Sequence, residues 1–254
     1  MRAATATPLF LHQLRSEQLL FWRSREAAVF VFLFPVLLFL LLATVYEGTY
    51  RGHPLSDYLV AALLGYGTAN TAFGGLAITL VLRRESGLLK RVRGTPLPPA
   101  TYLGAALAST LAVFAVQAVV LLALGRLVFG ASLPSRPLSL AATLAIAALA
   151  FAALGAGIAS LIRSSEGASA VVNVVILPMT FLSGGFGPTR HYPEVLRALA
   201  EILPLKHLID AVIGIYLDHE SIWQQSWALA IVAAWGVLGA AVAARRFRWE
   251  PRER

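Results

Sequence analysis

The sequence predicts an all-α polytopic membrane protein with six transmembrane helices and both termini in the cytoplasm. An N-terminal interfacial helix, a short cationic helix in a cytoplasmic loop and an outer helical segment complete it. Three observations predict this. Of 254 residues, 58% are hydrophobic and only 13% charged, against about a quarter charged in a soluble domain. Several charge-free runs are long enough to cross a hydrocarbon core about 30 Å thick, giving predicted spans at 27–46, 58–82, 102–124, 138–162, 168–187 and 226–244. Finally, 15 of the 21 cationic residues fall in the N-terminal segment, the loops after spans two and four, and the tail, leaving six on the other side. The positive-inside rule places the rich side in the cytoplasm. Three units result: residues 1–26, the membrane domain 27–244, and a basic tail 245–254.

Residues 8–26 are too polar to span. On a helical wheel Phe10, Leu14 and Phe21 share one stripe, with Leu11 and Trp22 beside it and Glu17 nearby. His12, Arg15, Ser16 and Arg23 face away. That pattern suits a helix lying in the cytoplasmic interface. Span one is not read as a signal peptide: its apolar run is too long and no small-x-small site follows.

Span two contains "GYGTANTAFGG", in which Gly67, Thr71 and Gly75 form an i, i+4, i+8 small stripe; Ala152, Ala156 and Ser160 repeat it in span four. Such stripes let helix backbones approach. The polar residues at membrane depth are Asn70, Gln117 and Asn173, besides Ser and Thr. Asn70 and Asn173 are interhelical hydrogen-bond partners or, alternatively, ligands along a path. Span five carries Pro178, then Ser183 and Gly184. Proline deletes a backbone hydrogen bond and kinks a helix, so Pro178, Ser183 and Gly184 form a candidate gate.

Between spans two and three lies "RRESGLLKRVRGTPLPPATYLG", with five basic residues in its first eleven. Glu85 is expected to open a short helix, with Lys90, Arg91 and Arg93 at its end, then Gly94 and Pro96. Acid first, base last, then Gly and Pro is how a helix obeys its dipole and stops. Leu88, Leu89 and Val92 form its apolar edge. Such a helix is either a topology anchor touching lipid phosphates or a docking surface for a cytosolic partner. Residues 193–217 hold two short amphipathic stripes broken at Pro204. Each is too short to cross, which fits a re-entrant hairpin or interfacial helices.

Absent features narrow the function. No ionisable residue is assigned to the middle of any span, against ion-coupled carriers and channels with charged filters. The net charge of +8 is a property of cytoplasmic loops and not of a nucleic-acid site. There is no cysteine. His191, His207 and His219 sit near Asp210, Asp218 and Glu220, at spacings that match no zinc pattern. No catalytic motif is present, and both lysines, Lys90 and Lys206, follow leucine, so no Gly-Lys-Ser/Thr phosphate loop exists. No catalytic residue, metal or cofactor is expected in this chain.

Two blocks together resemble ABC transporter permeases of the type-2 exporter class. The first is Glu85, Gly87, Lys90-Arg91 and Thr95-Pro96-Leu97; the second is Ser183-Gly184, Pro188, Pro193, Pro204 and "HLIDAV". The resemblance implies two permeases, identical or closely similar, paired with two separate ABC ATP-binding subunits that hold ATP and Mg. Residues 85–93 would be the coupling helix, acting through Glu85, Gly87, Leu88, Leu89, Lys90, Arg91 and Val92. Residues 8–26 would be the connecting helix, with Phe10, Leu14, Phe21 and Trp22, and residues 193–217 would cap the exit. It implies a bacterial plasma-membrane exporter of hydrophobic or amphipathic, drug- or antibiotic-like cargo, with lipid-linked polysaccharide or lipid as the alternative. A secondary carrier and a non-transporting scaffold are the readings from other classes.

Overall fold

The computed structural model describes residues 3–251 except 47 and 191; the side chains of residues 3–6, 27 and 30 also lie outside the description. The described chain is helical. Helix α1 (Ala3–Arg23) turns at Ser24 into α2 (Arg25–Val45). A two-residue hairpin, β1 (Thr49–Tyr50) against β2 (His53–Pro54), leads into α3 (Leu55–Ala69). A π-helical segment, Asn70–Gly75, joins α3 to α4 (Leu76–Glu85) in one continuous rod, Leu55–Glu85. Then come α5 (Leu88–Arg93), α6 (Pro99–Phe129), α7 (Pro137–Leu161) and α8 (Ala168–Leu182). The chain ends with α9 (Glu194–Ala200), α10 (Pro204–Tyr216) and α11 (Ser226–Arg246).

Among the described residues, four helices are long and apolar enough to cross a membrane: Leu55–Glu85, Pro99–Phe129, Pro137–Leu161 and Ser226–Arg246. Shorter apolar helices, Val31–Val45 and Ala168–Leu182, occupy the first and fifth predicted positions. The rod is central. From Leu55 to Ala69 every residue but Ser56 is buried, because α2, α6, α7 and α10 surround it. A helix enclosed on all sides is apolar on all sides. The peripheral helices instead turn valine and leucine outward: Val119 on α6, Val174 on α8, Val237 on α11. Apolar outer faces are what a lipid surround requires.

Helices α7 and α11 pack most closely, and small residues permit it. A Cβ on Gly239 would sit 2.5 Å from the Leu154 Cα, and one on Gly155 would sit 2.6 Å from the Phe73 carbonyl oxygen in the π segment. The expected stripe in span two is broken. Gly67 and Thr71 face α6, where Thr71 Oγ1 donates to Gln117 Oε1 at 3.2 Å, but Gly75 is exposed. The wider π turn carries the last step off the face.

Residues 193–217 fold into two helices, α9 and α10, joined by a turn at 201–203. Helix α9 exposes Val195 and Leu199, and the turn after it exposes Ile202, whereas α10 is core, with Leu205, Leu208, Ile209 and Val212 buried. At the turn, Trp235 Nε1 donates to the Ile202 carbonyl at 3.1 Å. Trp235 lies nine residues into α11, about 14 Å at 1.5 Å per residue, so the turn sits beside the middle of that helix. A Cβ on Gly65, mid-rod, would meet Ile209 Cγ1 at 2.8 Å.

Candidate functional site

The loop between α4 and α6 is held by two adjacent arginines that point opposite ways. Arg84 is fully buried. Its Nη1 donates to the Ala159 carbonyl at 2.9 Å and its Nη2 to the Ile162 carbonyl at 2.7 Å; Nε pairs with Glu85 Oε1 at 2.7 Å. Those carbonyls belong to the end of α7, where a helix leaves carbonyls unsatisfied and its dipole is negative. Arg84 is therefore a cation cap supplied by another helix. Arg83 turns to α1. Its Nη1 and Nη2 reach Glu17 Oε1 and Oε2 at 2.8 and 2.6 Å, and Nη1 also donates to the Tyr102 hydroxyl at 2.7 Å. Gln13 donates to the same carboxylate at 2.8 Å.

Glu85 closes α4 and does not open the loop helix. The reason is Arg84: tying its side chain to α7 extends the rod through Glu85, and Gly87 at φ +71° makes the break. The loop helix is consequently six residues, Leu88–Arg93, shorter than the expected 85–93. Its apolar edge is split. Leu89 is 0% exposed, Leu88 36%, and Val92 is half-buried. Lys90, Arg91 and Arg93 are exposed. Of the five basic residues in the loop's first eleven, two are consumed internally and three face outward.

Helix α1 starts at Ala3 and ends at Arg23, earlier at both ends than the expected 8–26. Phe10, Leu14 and Phe21 are half-buried and His12, Arg15 and Arg23 exposed, but Ser16 is half-buried and Leu11 is exposed, against the wheel. The half-buried face meets α6: Phe10 lies against Gly104, and Gln18 Nε2 donates to the Ser109 carbonyl and hydroxyl at 3.0 and 2.9 Å. Trp22 stacks on Phe32 with ring centroids 5.6 Å apart and stays half open.

The proposed path residues lie on the π segment and on α8 and its end. Asn70 begins the π segment, half-buried, beside Gly74. Asn173 and Pro178 face outward on α8, which continues through the proline to Leu182. Ser183 and Gly184 sit at the far end of α8. The Gly184 carbonyl accepts from the Tyr58 hydroxyl at 2.8 Å, and the buried Ser183 hydroxyl has no partner among the described residues.

That far end has its own polar knot. Asp57, 3% exposed, accepts from Ser132 Oγ at 2.5 Å and from Ser132 N at 3.3 Å, and Tyr216 donates to the Ser132 carbonyl. Arg51 pairs with Asp218 at 2.7 Å. Burial works against the Arg51 charge, but Tyr50 and Asp218 outweigh it and raise the pKa. His207 Nε2 contacts the Glu201 carbonyl and His219 Nδ1 the Ser135 hydroxyl; His191 lies outside the described residues.

Sequence reasoning missed the Arg84 cap, the Arg83–Glu17 pair and the π segment. One signal was visible: Glu17 beside an apolar face demands a cation.

The profile of the ABC-2 type transporter family matches residues 9–217. The chain is 28% identical over 162 residues to a probable multidrug ABC transporter permease of Escherichia coli (strain K12), covering 62% of this chain and 44% of that protein. It is 38% identical over 76 residues to nodulation protein J of Rhizobium leguminosarum bv. trifolii, covering 30% of this chain and 29% of that one. The matches thus span less than half the length of these relatives. The family match takes in most of the N-terminal helix, the locked rod with its loop, and α9 and α10: the chain belongs to the ABC-2 type transporter family.

Proposed function

We propose that the chain is the membrane-spanning permease of an ATP-driven exporter, working with two ABC ATP-binding subunits and a second permease. The observation that carries this is the lever at the arginine-rich end. A six-residue cationic helix, exposed on Lys90, Arg91 and Arg93, projects from a continuous rod whose last turn is fixed to α7 and α1. A push on Leu88–Arg93 cannot be absorbed locally, because the residues behind it are tied to two other helices. The coupling residues are Leu88, Lys90, Arg91 and Val92; Glu85, Gly87 and Leu89 hold the helix in place.

The membrane reading is six spans with both termini in the cytoplasm. Charge asymmetry supports it, and the turn at 201–203 lying beside the middle of α11 supports a re-entrant α9–α10 over a surface cap. The sequence supplies no phosphate loop, so ATP and Mg are held by the partner. A rod and peripheral helices lined by alanine, leucine, valine and glycine suit hydrophobic or amphipathic cargo, and the relative named as a probable multidrug permease supports drug-like molecules. The setting is a bacterial cytoplasmic membrane.

Reconstitution with a co-expressed ATP-binding subunit tests this. Cargo-stimulated ATP hydrolysis should require both chains, and the permease alone should hydrolyse none. Single cysteines at Ser86 and Ser221 test sidedness in cells: an impermeant thiol reagent should label only the second. Turnover by the purified chain alone, or outside labelling at position 86, defeats the proposal.

A further inference from the structure

A second feature of the arginine-rich end adjoins the loop helix through Arg93. Where the chain leaves α11, it folds back over α4, α6 and α7 and borders a half-open bowl of about 1140 Å³. Arg93, Arg163, Arg245, Arg246 and Arg248 line it, with Glu250 as the one carboxylate on its wall among the described residues. All five arginines are exposed, and the ion pairs of the described residues include none of them. Five guanidinium groups lining one space repel each other, and among the described residues of the lining one carboxylate offsets that repulsion.

Adjoining this bowl is an apolar crevice of about 240 Å³ between the helices, with Leu80, Leu103, Ala156 and Ala243 on its walls. The two spaces share Phe247 and Trp249. Trp249 is held edge-on between Tyr102 and Phe247, with ring centroids 6.4 and 5.8 Å away. Aromatic rings at the boundary of a charged and an apolar compartment mark the headgroup level of a membrane. Alanine at 156 and 243 keeps the crevice open where larger residues would close it.

We propose that the bowl and crevice form one site for an anionic phospholipid of the adjacent leaflet, with its phosphate among the arginines and an acyl chain in the crevice. Basic pockets at the cytoplasmic ends of membrane helices suit such headgroups. The joint geometry selects this occupant. A free phosphate would use the bowl alone, and an acidic protein surface would leave the crevice unfilled. The lipid would join the tail to α4, α6 and α7 beside the coupling loop. Only the choice of leaflet rests on the proposed topology.

The test uses the purified full-length chain in neutral detergent, so it needs neither an ATP-binding subunit nor a defined orientation. Dioctanoyl phosphatidylglycerol, dioctanoyl phosphatidylcholine and inorganic phosphate are titrated, with native mass spectrometry counting bound lipid. Phosphatidylglycerol should bind one per chain, roughly tenfold or more tighter than phosphatidylcholine. The triple variant Arg163→Gln, Arg246→Gln, Arg248→Gln should weaken it by roughly tenfold or more. The matching triple lysine variant should retain most binding, which separates loss of charge from loss of fold. Ala243→Phe should weaken the lipid and leave phosphate binding unchanged. The site is refuted if the two lipids bind alike or if the triple glutamine variant binds normally. It is also refuted if phosphate matches the lipid and Ala243→Phe has no effect. Loss of ATP-binding-subunit capture in the triple glutamine variant with lipid binding intact would reassign the bowl to protein docking.

Discussion

Replacing Arg84 is the sharpest perturbation of the lever. Its side chain is 0% exposed and makes three charge-assisted contacts: two with the last carbonyls of α7 and one with Glu85. Hydrogen bonds to a charged group contribute about 1.5–3 kcal/mol each, but they are not additive, and burying the guanidinium costs part of the gain. The better guide is removal of one partner from a buried charged cluster, about 3–5 kcal/mol. Arg84→Met keeps most of the volume and deletes the donors, so it should incur that loss. Arg84→Lys keeps the charge but cannot fork between two carbonyls, and should incur less. Arg91→Gln, one residue type and seven positions away on an exposed surface, should change stability by under about 0.5 kcal/mol. Thermal unfolding in detergent, followed by loss of monodisperse protein, should therefore rank Met as the most unstable, then Lys, then the Arg91 variant beside wild type. If Arg84→Met unfolds with wild type, the cap holds nothing and the lever argument fails.

The split apolar edge of the loop helix separates folding from coupling. Leu89→Ala should destabilise the chain by about 2–5 kcal/mol as a core truncation. Leu88→Ala should leave unfolding unchanged while weakening binding of the ATP-binding subunit by roughly tenfold or more; equal behaviour of the two in both assays would contradict the burial. Glu17→Gln strands Arg83, which is largely buried, and should cost about 3 kcal/mol. The double variant with Arg83→Gln should recover part of that loss in a mutant cycle, and strict additivity would mean the pair is idle. Asp57→Ala removes the acceptor for Ser132 at the far end and should destabilise by about 2–3 kcal/mol, while cargo-stimulated ATPase activity per folded molecule stays near wild type; an unchanged unfolding temperature would count against the knot.

The elements that could be read from sequence are those whose cause is local. Apolar run length fixes the positions of the long apolar helices, and the stripe of Phe10, Leu14 and Phe21 fixes the half-buried face of α1. Gly94 and Pro96 announce where the loop helix stops. Elements set by distant partners could not be read. Arg84 looks like any loop arginine until α7 ends beside it, and only then does Glu85 become the last residue of α4. Leu88 and Leu89 are indistinguishable by type, and tertiary packing alone decides which is core. The amphipathic stripe of α10 fits a surface helix as well as a buried one; its neighbours α3, α7, α8 and α11 decide the matter. The path residues Asn70, Asn173 and Pro178 show the limit most plainly, since residue type does not foretell that Asn70 begins the π segment while Asn173 and Pro178 lie exposed on α8.

The π segment turns the same reasoning into a final prediction. The rod is anchored at both ends, by Arg83 and Arg84 at one and by Asp57 and Tyr58 at the other. Between them, Asn70–Gly75 runs in the wider i→i+5 pattern, which amounts to one residue more than an α-helix needs. Deleting one residue from an ordinary α-helix rotates everything beyond it by about 100°. Removing Leu63 from α3 should therefore swing Arg83 and Arg84 away from Glu17 and α7 and abolish folding. Removing Ala72 instead deletes the surplus residue, restores the i→i+4 ladder and leaves both anchors in phase. The Ala72 deletion should insert and stay monodisperse in detergent with unfolding close to wild type. Irregular helical turns mark places where a rod can change register, so its cargo-stimulated ATPase activity should fall strongly while binding of the ATP-binding subunit persists. If deleting Ala72 is as damaging to the fold as deleting Leu63, the segment is a strained necessity of packing. If it folds and couples like wild type, the π turn has no part in transport.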